Sequence, residues 1–163
     1  MADPTSSSAR AATTSDDPIE VVRRFLGALE RLDVDAAVDL LTDDVVYQNV
    51  PFPPARGLDA VERQLRWMVR HGDGFEVDWL NVAADGGTVL TERDDVLVVG
   101  PVRARFWVCG TFEVRDGRIA LWRDRFDFAT LTWAWLKGAA VALYRYLRGR
   151  LAEASGPPGD ARN

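Results

Sequence analysis

The chain has 163 residues, of which 47% are hydrophobic and 28% are charged, and its formal net charge is −5. This composition suffices for one domain with a sizeable core, and the acidic balance, with no Lys/Arg run interleaved with aromatic residues, argues against a nucleic-acid partner. Cys109 is the single cysteine, which excludes an internal disulfide and a cysteine-based zinc site and leads us to expect a cytoplasmic protein.

The two ends of the chain differ in composition from the middle. Residues 1–16 are rich in Ser, Thr, Ala and Asp and lack the apolar segment of a secretory signal, so we predict a disordered tail there. Residues 154–163 contain two glycines and two prolines and are predicted to be flexible. We expect a single domain over residues 17–153.

Helical signals dominate the first half of this domain. Asp16 or Asp17 followed by Pro18 is typical of a helix start, because an aspartate oxygen can cap free amides and proline suits the first helical position. Apolar residues then recur at helical spacing, at Ile19, Val22, Phe25, Leu26 and Leu29. After a break at residues 32–35, we predict a short helix running through Leu41, a strand over residues 45–50, an extended proline loop and a third helix over residues 58–71.

Turn signals divide the second half into strands. Pairs such as Asp85-Gly86, Gly100-Pro101 and Asp116-Gly117 are typical of hairpin turns. The strands predicted around them cover residues 75–83, 88–99, 102–115 and 118–127. Because helices come first and strands follow, the pattern favours an α+β fold in which helices pack on one face of a curved antiparallel or mixed sheet.

A final helix is predicted beyond Leu131, in a Trp-rich apolar run that ends near Leu147. Lys137 and Arg145 interrupt this run before it is long enough to span a bilayer. We therefore expect no transmembrane segment, and we interpret the helix as a cover over a cavity or a subunit contact rather than as a membrane anchor.

Two of the predicted strands carry carboxylates where apolar residues would be ordinary. Because side chains alternate between the faces of a strand, Arg93 and Asp95 share a face with apolar residues, whereas Asp94 points to the other side. In the later strand, Asp124 falls on the same face as Trp122 and Phe126. A charge on an apolar face is costly unless it is paired, so these residues form a candidate acid/base site.

Addition of water to an activated carbon needs a base on one side and an acid on the other. Asp124 and Asp95 can take these two roles, and Arg93 can hydrogen-bond both carboxylates. Tyr47 and Asn49, on one face of an earlier strand, can orient the water. From spacing alone, however, a buried structural ion pair explains Arg93 as well as catalysis does, and a one-residue bulge would exchange Asp94 for Asp95.

Other chemistries lack their residues. With His71 as the single histidine and no Gly-x-Ser-x-Gly motif, a hydrolase triad is not available. There is also no glycine-rich phosphate loop and no cluster of metal ligands. We therefore expect no metal site.

Three motifs taken together resemble the limonene-1,2-epoxide hydrolase family. They are Tyr47-Gln48-Asn49-Val50-Pro51, Glu92-Arg93-Asp94-Asp95-Val96-Leu97 and Trp122-Arg123-Asp124-Arg125-Phe126-Asp127, and the resemblance covers residues 18–130. It implies a nuclear-transport-factor-2-like fold, with a curved sheet wrapped by N-terminal helices into a cone-shaped barrel around a deep apolar pocket. It also implies a homodimer that uses no cofactor.

The resemblance implies a role for each site residue. Asp124 matches the base that activates water, Asp95 the acid that protonates the epoxide oxygen, and Arg93 the bridge between the two carboxylates. Tyr47 and Asn49 match the residues that position the water. The charged Asp94, between Arg93 and Asp95, departs from the family pattern.

The sequence thus favours an epoxide hydrolase that adds water to an apolar terpenoid, lipid or sterol-like epoxide in one step, giving a vicinal diol. The residues expected to line the substrate pocket are Leu97, Phe126, Trp122, Met68, Leu29 and Leu26. Two alternatives remain open, because this fold hosts several functions. One is an isomerase or cyclase acting on a polycyclic substrate, and the other is a non-catalytic lipid or steroid carrier.

Overall fold

The computed structural model describes residues 17–154, apart from the side chains at positions 128, 131, 134, 149 and 151–154. The helices are α1 (Pro18–Glu30), α2 (Val34–Val38), α3 (Leu58–His71) and α4 (Phe128–Ala154). The strands are β1 (Leu41–Val50), β2 (Ala55–Arg56), β3 (Gly74–Asp85), β4 (Thr88–Val99), β5 (Val102–Arg115) and β6 (Arg118–Arg125). Both predicted tails lie outside the described residues, except for Ala154 at the end of α4.

All six strands form one mixed sheet in the order β2-β1-β6-β5-β4-β3. The strands β3 to β6 are joined by hairpins and pair antiparallel, whereas β1 pairs in parallel with β6. The predicted α+β class is therefore confirmed. The parallel pair brings the start of the domain beside its last strand, and this pairing assembles the site described below.

Helix α1 covers the sheet with an apolar face. Asp17 caps it, because its Oδ1 accepts a hydrogen bond of 3.0 Å from the backbone N–H of Ile19, and Pro18 occupies the first turn. Phe25 and Leu26 are fully buried. Burial of each such side chain stabilises the fold by roughly 1.5–3 kcal/mol.

The predicted boundaries around β1 are wrong in two places. Helix α2 ends at Val38 rather than at Leu41, because Leu41 already pairs with Ile119 of β6 and the sheet prevails over local helical spacing. The proline loop also contains the short strand β2, in which Ala55 pairs with Tyr47. The first difference comes from pairing with a residue distant in sequence, and the second comes from a short local pair across the proline loop.

The junction between β6 and α4 is shifted as well. Strand β6 ends at Arg125 rather than at Asp127, and α4 begins at Phe128 rather than beyond Leu131. Asp127 leaves the sheet to cap the helix: its Oδ1 accepts from the N–H of Ala129 at 2.9 Å and its Oδ2 accepts from the hydroxyl of Thr130 at 3.0 Å. Such a cap contributes about 1 kcal/mol.

Helix α4 lies close against β5. A Cβ atom added at Gly138 would come within 2.9 Å of Val102 and 3.0 Å of the backbone oxygen of Arg103, so the glycine is what permits the close approach. Within residues 17–154, no helix combines the length and the apolar character needed to cross a membrane.

Candidate active site

Residues from four strands meet in one row across the sheet. Asn49 of β1 lies beside Asp124 of β6, Asp124 lies beside Gly110 of β5, and Gly110 lies beside Thr91 of β4. Two residues further along β4 is Arg93. The hairpins and the parallel β1–β6 pair therefore bring polar groups together that lie up to 75 positions apart in sequence.

Arg93 forms the centre of this cluster. Its Nε donates to Asp95 Oδ1 at 2.8 Å, its Nη1 to Thr91 Oγ1 at 2.8 Å and its Nη2 to Asp124 Oδ2 at 2.7 Å. The guanidinium is completely buried, and Asp95 and Asp124 are each only 4% exposed. Loss of one partner from such a buried set costs about 3–5 kcal/mol, because it leaves a charge uncompensated.

Gly110 opens the path that Arg93 takes across the sheet. Since neighbouring strands are about 4.8 Å apart, Arg93 on β4 must span roughly 10 Å to reach Asp124 on β6. A side chain at position 110 would stand in that path: a Cβ there would collide with Arg93 Nη1 and Thr91 Oγ1 and would lie 2.9 Å from Asp124 Oδ1. The ion cluster therefore requires glycine at this point of β5.

Tyr47 and Asn49 flank Asp124 from β1. The amide of Asn49 donates to the Tyr47 hydroxyl at 2.6 Å, and the Tyr47 ring stacks on Trp122 with 3.8 Å between ring centroids. Burial and the charge of Asp124 raise the pKa of Tyr47, so its phenol stays protonated. Both side chains line the same cavity as Asp95 and Asp124.

The electrostatics of the cluster favour a state in which one of the two carboxyl groups, Asp95 and Asp124, is protonated and the other is ionised. Burial raises the pKa of Asp95 to about 6 and raises that of Asp124 as well, against the opposing effect of Arg93. Burial alone would lower the pKa of Arg93, but the two carboxylates outweigh it and raise that pKa. When one of the two carboxyl groups is ionised and the other is protonated, the set of Arg93, Asp95 and Asp124 has no net charge. Ionisation of the second carboxyl group would leave a net negative charge in the interior.

The hydrogen bonds distinguish the two carboxyl groups. Asp124 Oδ2 accepts from Arg93 and also from the Trp122 indole, at 2.8 Å. Asp95 accepts from Arg93 alone among the side-chain donors described. Donors stabilise the ionised form of a carboxyl group, so the geometry favours Asp124 as the carboxylate and Asp95 as the carboxylic acid. Asp124 Oδ1 has no hydrogen-bond partner within the described part of the chain.

The cluster lies in the wall of an apolar cavity of about 210 Å³. Five of the six residues expected to line the pocket do so, namely Leu97, Phe126, Trp122, Met68 and Leu29. Leu26 does not, because it is fully buried in the core beneath the cavity wall. A second cavity of about 260 Å³ shares Trp67, Met68, Phe75 and Leu97 with the first.

Asp94 lies on the outer face of β4, where its carboxylate is 3.5 Å from Arg105. The register between β4 and β5 is continuous from Thr88 to Val99, and the bulge in this region lies in β3, between Trp79 and Asn81. No bulge therefore exchanges Asp94 for Asp95. The alternation inferred from the sequence holds at this site.

Sequence reasoning missed several residues of the site. Gly110 and Thr91 belong to the ion cluster, and Phe75, Phe106 and Val108 belong to the cavity wall. A glycine in the middle of a strand often marks a close approach of another group, so Cys109-Gly110-Thr111 contained a usable signal. The wall residues of β3 and β5 gave no signal that set them apart from ordinary core residues.

Comparison with known proteins identifies the family. The family model described as the limonene-1,2-epoxide hydrolase catalytic domain matches residues 16–137. The chain belongs to the limonene-1,2-epoxide hydrolase family. A relative in this family, the epoxide hydrolase EphG of Mycobacterium tuberculosis, is 45% identical over 130 residues, which make up 80% of this chain and 87% of EphG.

Solved structures agree with the family. An M. tuberculosis protein described as a limonene-epoxide-hydrolase-like epoxide hydrolase matches with a TM-score of 0.74 and 45% identity, covering 78% of this chain and 96% of that one. A nuclear-transport-factor-2-like protein from Burkholderia pseudomallei matches with a TM-score of 0.65 at 17% identity, over 72% of this chain and 96% of its own. The second match supports the nuclear-transport-factor-2-like fold alone. The expected fold family is therefore confirmed.

Replacement of Gly110 tests whether the cluster needs an open path across β5. Gly110→Ala should lower the free energy of unfolding by about 1–3 kcal/mol, because the new methyl group displaces Arg93 and Thr91. Urea denaturation followed by circular dichroism measures this. Gly27→Ala is the control: its Cβ would meet only Arg31 at 3.5 Å, and alanine favours the helix by up to about 1 kcal/mol. A Gly110→Ala protein as stable as wild type would contradict the open-path argument.

The raised pKa of Asp95 should make stability depend on pH. Its pKa is about 6 in the folded state and 3.8 for an ordinary aspartate, so between these values the folded state binds more protons and stability falls as pH rises. The stability of wild type relative to Asp95→Asn should therefore decrease by up to about 3 kcal/mol between pH 4 and pH 7. Denaturation curves at both pH values test this.

Asp94→Asn serves as the matched control for this experiment. It makes the same chemical change one position away, on the outer face, and should leave the pH dependence of wild type unchanged. If wild type and Asp95→Asn instead keep a constant stability difference from pH 4 to pH 7, Asp95 does not titrate as described.

Proposed function

We propose that this epoxide hydrolase adds water to an apolar epoxide in one step and releases a vicinal diol, without a cofactor. The observation that carries the proposal is the buried Asp95–Arg93–Asp124 set in the wall of an apolar cavity. A base and an acid held in different protonation states are what the addition of water to an epoxide requires. Burial favours a proton on one carboxyl group, and the positive charge of Arg93 stabilises the other as a carboxylate.

In the proposed step, Asp124 takes a proton from water while the water oxygen bonds to an epoxide carbon. The bond from that carbon to the epoxide oxygen breaks, and Asp95 gives its proton to the oxygen. Tyr47 and Asn49, which line the cavity beside Asp124, position the water. The product carries one oxygen from water and one from the epoxide, and a proton moved from Asp124 back to Asp95 restores the starting state.

The cavity wall supports an apolar substrate. Apart from the site carboxylates, Tyr47, Asn49 and Gln64, its side chains are aliphatic or aromatic. An apolar wall also keeps the local dielectric low, which strengthens the interaction between Arg93 and the carboxylates. Terpenoid, lipid and sterol-like epoxides remain the proposed class, and the neighbouring cavity of about 260 Å³ leaves room for a substituent beyond the ring.

A carrier without activity has less support. Binding of an apolar molecule needs only the wall residues, whereas a buried arginine between two buried carboxylates is costly to hold in place. No observation specifically favours the isomerase or cyclase. The cone shape, the single domain over residues 17–153, the cytoplasmic location and the homodimer remain predictions.

A single-turnover experiment in labelled water tests the one-step mechanism. With enzyme in excess over a terpenoid or sterol epoxide in H₂¹⁸O, the first diol should already contain the label, because water attacks carbon directly. An unlabelled first diol would show that an aspartate oxygen attacks first and would overturn the one-step mechanism. Absence of diol from a panel of terpene, fatty-acid and sterol epoxides, with folded protein, would overturn the apolar-epoxide proposal.

Substitution of the carboxyl groups tests the assigned roles. Asp124→Asn and Asp95→Asn should each lower kcat by about 10²–10⁴-fold, since each removes one partner of the proton transfer. Asp94→Asn, on the outer face, should stay within severalfold of wild type. Folding of all three is checked by circular dichroism. An active Asp95→Asn protein alongside an inactive Asp94→Asn protein would refute the assignment of the acid.

The acid role also predicts a pH profile. Because Asp95 must be protonated and its pKa is about 6, kcat/KM should decline with rising pH above about 6, approaching tenfold per pH unit. Initial rates at fixed ionic strength across pH 5 to 9 measure this dependence. A kcat/KM that stays level up to pH 9 would exclude Asp95 as the acid in the free enzyme.

A further inference from the structure

The outward face of helix α4 has no role in the hydrolase site. Five large apolar or aromatic side chains on it are at least half exposed: Trp133 69%, Leu136 59%, Leu143 58%, Tyr144 62% and Leu147 50%. Their spacings of three, seven, one and three residues place them along one side of the helix, and Tyr146, which is 60% exposed, lies next to this side. We call this set the outer stripe.

The opposite side of α4 is the one that packs on the sheet. Trp135, Gly138 and Ala142 are half-buried, and Gly138 lies against the backbone of β5. The outer stripe therefore cannot be covered by the core of its own domain. The match to the family model ends at residue 137, so most of the stripe also lies beyond the matched catalytic domain.

The charges around the stripe are all positive among the described side chains of α4. Lys137, Arg145, Arg148 and Arg150 flank it, whereas the chain as a whole carries a net charge of −5. A basic helix on an acidic protein is complementary to an anionic surface. Lys and Arg side chains can extend their charged ends toward such a surface while their methylene stems cover apolar groups.

The composition of the stripe narrows the type of surface. Trp and Tyr prefer the boundary between the hydrocarbon core and the headgroups of a bilayer, where one part of the ring is apolar and the other is wet. Aromatic and apolar side chains with flanking cations are also found on helices that lie in the plane of this boundary. The described helix does not itself cross the bilayer.

We propose that α4 binds the surface of an anionic lipid bilayer. The outer stripe would lie at the boundary between the headgroups and the acyl chains, and the four cations would lie at the lipid phosphates. A second copy of the chain fits less well as the occupant. Two such helices packed stripe to stripe would bring eight cations together, with no described carboxylate on either helix to balance them. The proposal concerns an interaction surface and is independent of the proposed reaction.

Co-sedimentation with lipid vesicles tests the proposal on the full chain. Wild type should bind vesicles of phosphatidylcholine with phosphatidylglycerol and bind pure phosphatidylcholine vesicles at least about tenfold more weakly. The double variant Leu136→Glu/Leu147→Glu should lose binding to the anionic vesicles by at least about tenfold. The control Leu80→Glu/Leu90→Glu makes the same change at two leucines that are each 51% exposed on β3 and β4, and it should bind as wild type does.

A second pair of variants separates the charge contribution from the apolar one. Arg145→Glu/Arg148→Glu should weaken binding to anionic vesicles by at least about tenfold, since each cation near an anionic surface contributes about 1 kcal/mol. The control Arg63→Glu/Arg118→Glu makes the same charge change outside α4 and should keep at least half of the binding. Circular dichroism and thermal unfolding verify that all variants are folded.

Three results would overturn the proposal. One is a wild type that does not bind anionic vesicles. Another is a loss of vesicle binding in both control variants that is as large as the loss in the α4 variants, because binding would then depend on the whole protein surface rather than on α4. The third is sedimentation velocity in which wild type is a dimer, Leu136→Glu/Leu147→Glu is a monomer, and vesicle binding is unchanged, because the occupant of the stripe would then be a second copy.

Discussion

A single positive charge shared by two buried carboxyl groups is the constraint on which the site depends. Arg93 is completely buried and reaches from β4 past β5 to β6. Such a charge is tolerated in an interior only when donors and acceptors are matched around it. The surrounding strands meet this condition, because Thr91 and Asp95 stand on either side of Arg93 on its own strand and Asp124 faces it across the gap at Gly110.

The same constraint connects stability with chemistry. One arginine can neutralise one carboxylate, so the interior favours a proton on the other, and this division is what general acid and general base catalysis requires. Aromatic rings around Asp124 keep the local dielectric low. The indole N–H of Trp122 donates to Asp124, and Phe25 packs edge-on against Trp122 with 5.0 Å between ring centroids. An arrangement that costs stability as the second carboxyl ionises is thus also the arrangement that can move protons.

Strand β5 is approached closely by two other parts of the molecule, the Arg93 side chain and helix α4. On the inner side, Gly110 leaves the space through which the arginine passes. Toward α4, the backbone at Arg103 receives Gly138, so the helix lies close to the sheet and turns its opposite side outward. The proposed catalytic chemistry and the proposed lipid contact are therefore carried by different parts of the chain. The first lies among sheet residues inside the range that the family model matches, and the second lies mostly on helix residues beyond that range.

Features that depend on local periodicity could be predicted from the amino-acid sequence alone. Helical spacing gave α1 and α3, turn residues gave the hairpins, and two-residue alternation placed Arg93 and Asp95 on the inner face with Asp94 outside. Local periodicity does not show which strands are neighbours, and therefore it also does not show the start of β1 at Leu41, the strand β2, the opening at Gly110 or the exclusion of Leu26 from the cavity. The physical reason is that alternation is a property of one strand, whereas lateral pairing and the space between side chains arise only when distant segments meet.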